Sequence, residues 1–265
     1  MAFDKFFFGF DDDVEDVGKY KPGGYHPVHL GDILPKKSTS SREPRYRIIQ
    51  KLGHGVFGTV WLARDLLGSL GYVAVKINVS RITGKSNETR ILRWLRDSNH
   101  HGQPGYDNIV GLLDDFTIRG PNGTHECLVT EVVARLRDLV DDATFPTYTR
   151  EISFQVLSGL AYLHNQGVTH GDFHFGNIGI CIPQLQELSE EQLLDFLMNQ
   201  TSTAITPVIP RDPLDQSQSL PAYVIPFINL VTFLKFSLGT SARFAPIRVK
   251  ILDFGNGEPD HHESI

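Results

Sequence analysis

The chain has 265 residues, of which 40% are hydrophobic and 21% are charged, and its formal net charge is −6. This length is enough for one large domain or two small ones with a buried core. Because the basic residues are outnumbered and scattered, the charge gives no reason to expect a nucleic-acid partner. The N-terminus lacks the basic and long apolar segments of a signal peptide, and the two cysteines, Cys127 and Cys181, are typical of buried thiols in a reducing compartment.

Residues 1–45 are rich in glycine, proline, serine and charge, which predicts an extended arm. From Tyr46 onward, YRIIQKL, FGTVWLARD and YVAVKINV are β-rich runs separated by turns that contain glycine, a pattern that favours an antiparallel meander. A helical run, ETRILRWL, follows, and then two more strand-like runs, IVGLLDDF and ECLVTEVV. The expected domain over 46–133 is therefore a five-stranded antiparallel sheet with one helix.

The second half is predicted to be mainly helical over 134–265, with an insertion at about 181–246. EISFQVLSGLAYLHNQG has an apolar stripe at helical spacing, and Gly167 lies where a C′ residue is expected. SEEQLLDFLMN begins with Ser189 and Gln192 at capping-box spacing. The run AYVIPFINLVTFLKFSLG (222–239) has about a dozen apolar residues, fewer than the ~20 that cross a bilayer, so it predicts a buried segment and no membrane partner.

The first motif that carries chemistry is GHGVFGTV, with glycines at Gly53, Gly55 and Gly58 between two predicted strands. Glycines allow a backbone to approach phosphate oxygens closely, because no Cβ is in the way. A tight hairpin turn explains the same three glycines. A dinucleotide site requires a helix at the third glycine, whereas here a strand is predicted, which argues against that class of site.

Lys76 ends the apolar run VAVK, and Glu88 lies one helix later. A lysine at the edge of an apolar strand can simply extend its ammonium into solvent. The alternative is an ammonium that binds anionic phosphates and is oriented by Glu88. The position of Lys76 after the glycine run favours the second interpretation.

Two further motifs carry carboxylates. THGDFHFGN contains Asp172, preceded by His170 and followed by Asn177, and Asp253 begins an Asp-Phe-Gly sequence after a β run. A loop that uses Asp and Asn for local turns explains the first motif on its own. Four such motifs in this order and in these contexts are very hard to obtain by chance.

Together these residues resemble a eukaryotic protein kinase of the SR-protein-kinase branch. The branch resemblance rests on GGYHPVHLGD (23–32) and KLGHGVFGTVWLARD (51–65), and the similarity covers 20–180 and 247–257. It implies an α+β, bilobal protein-kinase-like fold with a five-stranded N-lobe sheet, one αC-type helix and a partial helical C-lobe. It also implies ATP as a ligand and Mg²⁺ as a cofactor.

The resemblance implies the following site residues. Asp172 would accept or orient the proton of the substrate hydroxyl, Asn177 and Asp253 would bind Mg²⁺, and Thr130 would lie at the back of the adenine pocket. The implied catalytic residues are Asp172, Lys76, Asn177 and His174. The implied ATP-binding residues are Leu52, Gly53, His54, Gly55, Val56, Phe57, Gly58, Thr59, Val60, Ala74, Lys76, Glu88, Glu131 and Val133, with the Glu131 C=O and the Val133 N–H on the adenine edge.

Two residues depart from the family pattern. Gly171 replaces the arginine that binds a phosphorylated activation loop in many kinases, so we expect no activation by such phosphorylation. His174 replaces a lysine, and a histidine is mostly neutral at pH 7, so it donates a hydrogen bond but only part of a charge. The HGDxHxxN form also resembles small-molecule phosphotransferases such as aminoglycoside and choline kinases.

Length is the larger departure. About 75 residues separate Asn177 from Asp253, and only ten follow Gly255, so the A-P-E motif and the later helices of a kinase C-lobe are missing from this sequence. An incomplete C-lobe predicts exposed apolar surface. We therefore expect a C-terminally truncated kinase.

Three functions remain open on the sequence. The leading hypothesis is an ATP-dependent serine/threonine protein kinase of SR-protein-kinase type, cytoplasmic or nuclear, with an Arg/Ser-rich protein substrate. The second is a nucleotide-binding pseudokinase or non-catalytic remnant, favoured by the missing helices. The third is a small-molecule phosphotransferase, suggested by His174 alone.

Overall fold

Strands and helices alternate along the computed structural model, which describes residues 6–7, 14–35, 43–97, 102–140, 145–199, 205–210, 218–238 and 246–259. The strands are β1 (Phe6–Phe7), β2 (Ile33–Pro35), β3 (Pro44–Gly55), β4 (Gly58–Asp65), β5 (Tyr72–Asn78), β6 (Leu112–Gly120), β7 (Gly123–Thr130), β8 (Val133–Arg135), β9 (Val168–Thr169), β10 (Ile178–Cys181), β11 (Thr206–Pro207), β12 (Ile209–Pro210), β13 (Tyr223–Val224), β14 (Val249–Ile251) and β15 (Glu258–Pro259). The helices are α1 (Asn87–Asp97), α2 (Leu136–Val140), α3 (Phe145–Asn165), α4 (Glu190–Asn199) and α5 (Leu230–Leu238).

The chain divides into two compact units. The sheet unit comprises Met1–Gly84, Asp114–Val129 and Leu188–Ile228. The helical unit comprises Lys85–Leu113, Thr130–Glu187 and Asn229–Ile265. Helix α1 therefore clusters with the helical unit, although it follows β5 in the chain.

The sheet unit is built on one sheet with the strand order β2-β3-β4-β5-β7-β6. The prediction of five strands is wrong by one strand, because β2 adds to the edge next to β3 in antiparallel register. β2 has only three residues and ends at Pro35. So short a segment shows no apolar alternation in the sequence, and proline is accepted at a sheet edge.

Strand alternation gives this sheet two different faces. On one face, Trp61 of β4 and Val75 of β5 are opposite each other in register and fully buried. They belong to an apolar cluster that also contains Val28 from the predicted arm and Ile225 from the predicted insertion. Both segments therefore contribute to the core of the sheet unit.

A second apolar cluster in the sheet unit also combines residues of the predicted arm with residues of the predicted insertion. Val17, Tyr20 and Tyr25 of the arm are buried together with Val208 and Val224. This part of the predicted arm is therefore packed, and its backbone bonds Asn122 in the turn between β6 and β7 and Ser80 after β5.

In the helical unit, α3 ends as the sequence predicts. Gly167 has φ +65°, and its N–H donates to the His164 carbonyl at 3.0 Å, which completes the C-terminal cap. A second sheet has the order β14-β10-β8, all antiparallel, with Ile178 opposite Ile251 and Cys181 opposite Val133. This register brings the start of β10, directly after Asn177, next to the end of β14, shortly before Asp253.

The predicted insertion contains two of the helices. The capping box of α4 is confirmed, since the Ser189 N–H donates to Gln192 Oε1 at 2.9 Å and the Gln192 N–H donates to Ser189 Oγ at 3.2 Å. The apolar run at 222–239 forms β13 and α5, and Phe233 and Leu234 of α5 are buried. Within the described ranges, no helix combines the length and the apolar composition needed to span a bilayer.

Candidate functional site

The glycine-rich run forms the hairpin between β3 and β4, with Gly55 opposite Gly58. A Cβ at Gly58 would lie 2.4 Å from the Ile77 carbonyl oxygen, so the close approach of β5 requires glycine there. At Gly53 and Gly55, no described atom beyond the chain neighbours lies within 4 Å of the Cβ position. One glycine is thus required by packing, and the other two leave the backbone uncovered, as a bound phosphate would need.

The face of the sheet opposite the apolar cluster carries the predicted lysine. Val60 of β4 is opposite Lys76 of β5, and Leu62 is opposite Ala74, so these four side chains share one face. Ala74 is buried, whereas Val60 and Lys76 are half-buried. The side chain of Lys76 therefore lies on the same face of the sheet as Val60, which belongs to the strand after the glycine hairpin.

Glu88 lies in the first turn of α1, in the helical unit, and is only 5% exposed. Ile91, Leu92 and Leu95 of the same helix are also buried, whereas Trp94, which the helical spacing places with them, is only half-buried. A carboxylate so deeply buried requires a charged or hydrogen-bonding partner. The pairing of Glu88 with Lys76 stays a prediction.

The predicted adenine-binding segment, Thr130 to Val133, is held by the side chain of Glu131. One carboxylate oxygen accepts hydrogen bonds from the Gly111 N–H at 3.1 Å and the Lys250 ammonium at 2.8 Å. The Cys181 thiol donates to the other oxygen at 3.7 Å. The Glu131 carbonyl oxygen accepts the Thr130 hydroxyl at 3.2 Å, and its second lone pair can still accept another donor.

Lys250 and the carboxylate of Glu131 have a role that the sequence did not predict. The Lys250 ammonium also donates to the Ile109 carbonyl at 3.2 Å, so it ties β14 to two other segments of the helical unit. The two charges lie far apart in the chain, and no motif links them. Only the antiparallel register of β14, β10 and β8 brings them together.

Asp172 lies in the loop between β9 and β10, and this loop is fixed on both sides. The Asn177 side-chain amide donates to the Asp172 carbonyl at 3.0 Å, and the Asp172 N–H donates to His170 Nδ1 at 3.4 Å. Because Nδ1 accepts, His170 Nε2 carries the proton and donates to the Leu252 carbonyl at 2.9 Å. The Asp172 side chain itself is half exposed.

Asp253 lies beside this loop because of strand register. The Leu252 N–H donates to the Asn177 carbonyl at 2.9 Å, which continues the pairing of β14 with β10 by one residue. Asp253 has φ +61° and, among the described residues that carry a side chain, is alone in the left-handed region. Its Oδ1 accepts the Gly255 N–H at 3.3 Å, the local bond that lets aspartate adopt this conformation. Such strain clusters at functional sites.

His174 follows Asp172 by two residues, and its ring orientation can be assigned. Its Nδ1 accepts the Gly176 N–H at 3.0 Å, so in the neutral ring the proton is on Nε2. Nε2 lies 3.9 Å from Asp172 Oδ2, and both side chains are about half exposed. The N–H of His174 is therefore presented beside the predicted catalytic acid, in solvent-accessible space.

The backbone at position 171 requires glycine, in addition to the fact that no arginine is present there. Its φ is +75°, and a Cβ at this position would lie 2.0 Å from the Asn256 carbonyl oxygen. A Gly171→Arg substitution would therefore strain the loop that carries Asp172. The expected independence from loop phosphorylation stays a prediction, and that substitution is a poor test of it.

The donor set beside Asp172 fits magnesium. Because the Asn177 NH₂ group donates to a carbonyl, its Oδ1 remains the acceptor end of the amide, and Asp253 adds carboxylate oxygens. The part of the chain that the structure describes contains no group of three or more His, Cys, Asp or Glu side chains that could hold a metal ion by themselves. Mg²⁺ usually takes one or two protein carboxylates, with phosphate oxygens and water completing its octahedron, so two oxygen donors suffice.

Known proteins are similar to this chain in sequence and in fold. The protein kinase domain family matches residues 46–198. Human SRSF protein kinase 3 is 36% identical over 184 residues, which is 65% of this chain and 30% of that protein. Protein kinase dsk1 of Schizosaccharomyces pombe is 35% identical over 205 residues, or 72% of this chain and 36% of its own, and the serine/threonine-protein kinase SKY1 of Saccharomyces cerevisiae is 34% identical over 175 residues, or 62% and 22%.

The chain thus spans about a third or less of the length of these curated relatives. A crystal structure of a kinase domain superposes with a TM-score of 0.50 at 17% identity and covers 91% of this chain and 57% of that one, which supports the bilobal kinase fold. Because the family match covers more than half of the residues, the chain belongs to the protein kinase domain family, and its relatives include a human SRSF protein kinase.

Proposed function

We propose that the chain is an ATP-dependent serine/threonine protein kinase of SR-protein-kinase type. The observation that carries this proposal is the arrangement in the helical unit, where Asn177 bonds the Asp172 carbonyl and pairs with Leu252, directly before the left-handed Asp253. This arrangement supports a single site that contains an acid, an amide oxygen and a second carboxylate. Kinases work mainly by positioning and by stabilising charge, which these residues can supply.

In this proposal Asp172 accepts the proton of a substrate hydroxyl. The hydroxyl oxygen forms a bond to the γ-phosphorus of ATP, and the bond from that phosphorus to the bridging oxygen breaks, so that ADP leaves with its electron pair. The Nε2–H of His174 donates a hydrogen bond to the transferring group. Lys76, oriented by Glu88, binds the α- and β-phosphates.

Asn177 and Asp253 would hold Mg²⁺ through their oxygen atoms. When bound, the ion neutralises charge on the phosphate oxygens. The peptide units of Gly53 to Gly58 would lie over the phosphates, and the Glu131 carbonyl and the Val133 N–H would contact the adenine edge. The phosphoacceptor is a protein, and the names of the relatives favour an Arg/Ser-rich one.

A phosphate-transfer assay with Mg-ATP tests the proposal. We would offer an Arg-Ser-rich peptide, a generic basic peptide and an aminoglycoside in parallel. Lys76→Met and Asp172→Asn should each reduce transfer at least a hundredfold, because a missing phosphate contact and a missing base each remove roughly 3 kcal/mol or more from transition-state stabilisation. Lys85→Met, which removes an exposed lysine, is the matched control and should leave the rate unchanged.

Transfer to the Arg-Ser-rich peptide that disappears in both variants supports the proposal. Binding of Mg-ATP without any transfer contradicts it and favours a nucleotide-binding pseudokinase. Transfer to the aminoglycoside alone favours a small-molecule phosphotransferase. The absence of any change in the melting midpoint with saturating Mg-ATP contradicts nucleotide binding itself, because a ligand of the native state must raise that midpoint.

A further inference from the structure

The tip of the glycine hairpin is anchored by residues that lie outside the hairpin. The Gly55 carbonyl accepts the hydroxyl of Tyr25 at 2.6 Å. The next carbonyl, that of Val56, accepts the Arg81 guanidinium at 3.1 Å, and the carbonyl of Phe57 accepts the Val79 N–H at 2.9 Å. Three consecutive peptide units at the tip are therefore held by three external donors.

Tyr25 belongs to a turn of the arm that is itself fixed by backbone bonds. The Gly23 N–H donates to the Asn122 carbonyl at 2.8 Å, and the Asn122 side-chain amide donates back to the Tyr25 carbonyl at 2.7 Å. The Ser80 N–H donates to the Gly24 carbonyl at 3.1 Å. A Cβ at Gly24 would lie 1.9 Å from the Lys19 carbonyl oxygen, so the turn requires glycine there.

The phenol of Tyr25 is a permanent donor. The residue is 2% exposed, and its ring packs edge-on against Tyr20 with 5.4 Å between centroids. Burial, with the nearby carboxylates of Glu15 and Asp16, raises the pKa of Tyr25 to about 12. The hydroxyl therefore keeps its proton at every pH at which the protein would work.

Peptide planarity converts this contact into a constraint on the hairpin amides. In a trans peptide the C=O and the following N–H point in opposite directions. A Gly55 carbonyl held toward Tyr25 thus directs the Val56 N–H away from the arm, and a Val56 carbonyl held toward Arg81 does the same for the Phe57 N–H. These amides are the groups with which a glycine hairpin binds phosphate oxygens.

We propose that Tyr25 is a positioning residue for the nucleotide, with Arg81 as a second anchor: its hydroxyl fixes the hairpin so that the Val56 and Phe57 amides are aligned for the phosphates before ATP binds. This inference rests on the proposed ATP-dependent function. It assigns a role to the GGYHPVHLGD segment, which the catalytic residues do not explain. Preorganised donors bind more tightly because less order is lost on binding.

The test is the affinity of Tyr25→Phe for Mg-ATP and for adenosine, measured by isothermal titration calorimetry. Loss of one hydrogen bond should weaken Mg-ATP binding roughly three- to tenfold. Adenosine, which has no phosphates, should bind as it does to the wild type. Tyr20→Phe is the matched control, because it removes a hydroxyl from the same aromatic pair, and that hydroxyl donates to Glu15 instead of a hairpin carbonyl.

A selective loss of Mg-ATP affinity in Tyr25→Phe, with adenosine and Tyr20→Phe unchanged, supports the inference. Unchanged Mg-ATP affinity overturns it, and so does an equal loss for adenosine or an equal loss in Tyr20→Phe. Should Tyr25→Phe fail to unfold cooperatively, Arg81→Met decides the matter, since that exposed side chain contacts the neighbouring carbonyl and the same selective loss is expected. A wild-type chain that binds adenosine but not Mg-ATP, or neither, instead refutes the proposed function.

Discussion

Lys51 of β3 is a buried cation whose removal should be among the most destabilising changes in the sheet unit. Its ammonium donates to the Glu15 carboxylate and to the Ile225 carbonyl at 2.9 Å, and it lies 4.9 Å from the centroid of the Trp61 ring. Burial lowers the pKa of Lys51 below its usual range, and the charge of Glu15 opposes that change. The pair joins the arm, the sheet and the insertion at one point.

Lys51→Met should lower the free energy of unfolding by about 3–5 kcal/mol, because the Glu15 charge would stay buried without its cation. The Tyr20 hydroxyl would remain bonded to that carboxylate and cannot neutralise it. Adding Glu15→Gln removes the uncompensated charge, so the double variant should be more stable than Lys51→Met alone. We expect a coupling energy of about 2 kcal/mol or more between the two positions.

Urea unfolding followed by circular dichroism measures these differences, and equal m-values would validate the comparison. Circular dichroism is preferable to fluorescence because Trp61 is next to the substituted side chain. Arg47→Met is the matched control in the same strand. Its ion pair with Glu190 leaves 37% and 28% of the two side chains exposed, so the loss should be below about 1 kcal/mol. A loss below that value for Lys51→Met, or strict additivity in the double variant, would refute the argument.

Three further predictions follow from the same structure. Burial lowers the pKa of His26 to about 4, below the ~6.5 of an unfolded histidine, so its contribution to stability is complete above pH 6.5 and is lost as the pH falls to 4; the loss is up to roughly 3 kcal/mol in the free energy of unfolding measured at each pH. Gly58→Ala should lower the melting temperature by several degrees because of its contact with the β5 backbone, whereas Gly53→Ala should leave it nearly unchanged. Burial, with the neighbouring Glu131 carboxylate, raises the pKa of Cys181 to about 11, so at pH 8 this thiol should react with a disulfide reagent roughly a hundredfold more slowly than an exposed cysteine.

Each of these predictions has its own control. A His26→Phe variant keeps a ring at the site and should reduce the loss of stability between pH 6.5 and 4, leaving the part that belongs to His125, whose pKa burial also lowers; an unchanged profile would assign the acid sensitivity to other groups. Equal melting temperatures for the two glycine variants would contradict the contact with β5. Rapid labelling of Cys181 in the native chain, at the rate found in urea, would show that the thiol is not protected.

The sequence predicts the sheet and its hairpin well because both depend on local patterns. Alternation and glycine spacing locate β3, β4 and β5, and the stop at Gly167 locates the end of α3. The order of Asp172, Asn177 and Asp253 in their motifs also indicates one site. The structure adds the register of β10 and β14, which places Asn177 and Leu252 opposite each other.

Other contacts were not predictable because they join segments that no pattern links. The bond from Tyr25 to Gly55 and the pair of Lys250 with Glu131 each depend on the tertiary fold. Composition predicts an extended arm, since residues 1–45 are rich in glycine, proline, serine and charge. In the structure the glycines of this segment form the tight turns that bury Tyr25. A composition typical of an extended arm is therefore also compatible with a packed turn.

The late position of Ile225 in the chain has a consequence for synthesis on the ribosome. The Ile228 N–H donates to the Lys51 carbonyl at 3.0 Å. Ile225 packs in the apolar cluster on the face of the sheet that carries Trp61 and Val75. A nascent chain in which β3 to β7 have emerged therefore still lacks its last covering segment, and the ammonium of Lys51 lacks one of its two oxygen partners. We expect nascent chains arrested before residue 222 to be held by chaperones, and those arrested well after residue 228 to be released.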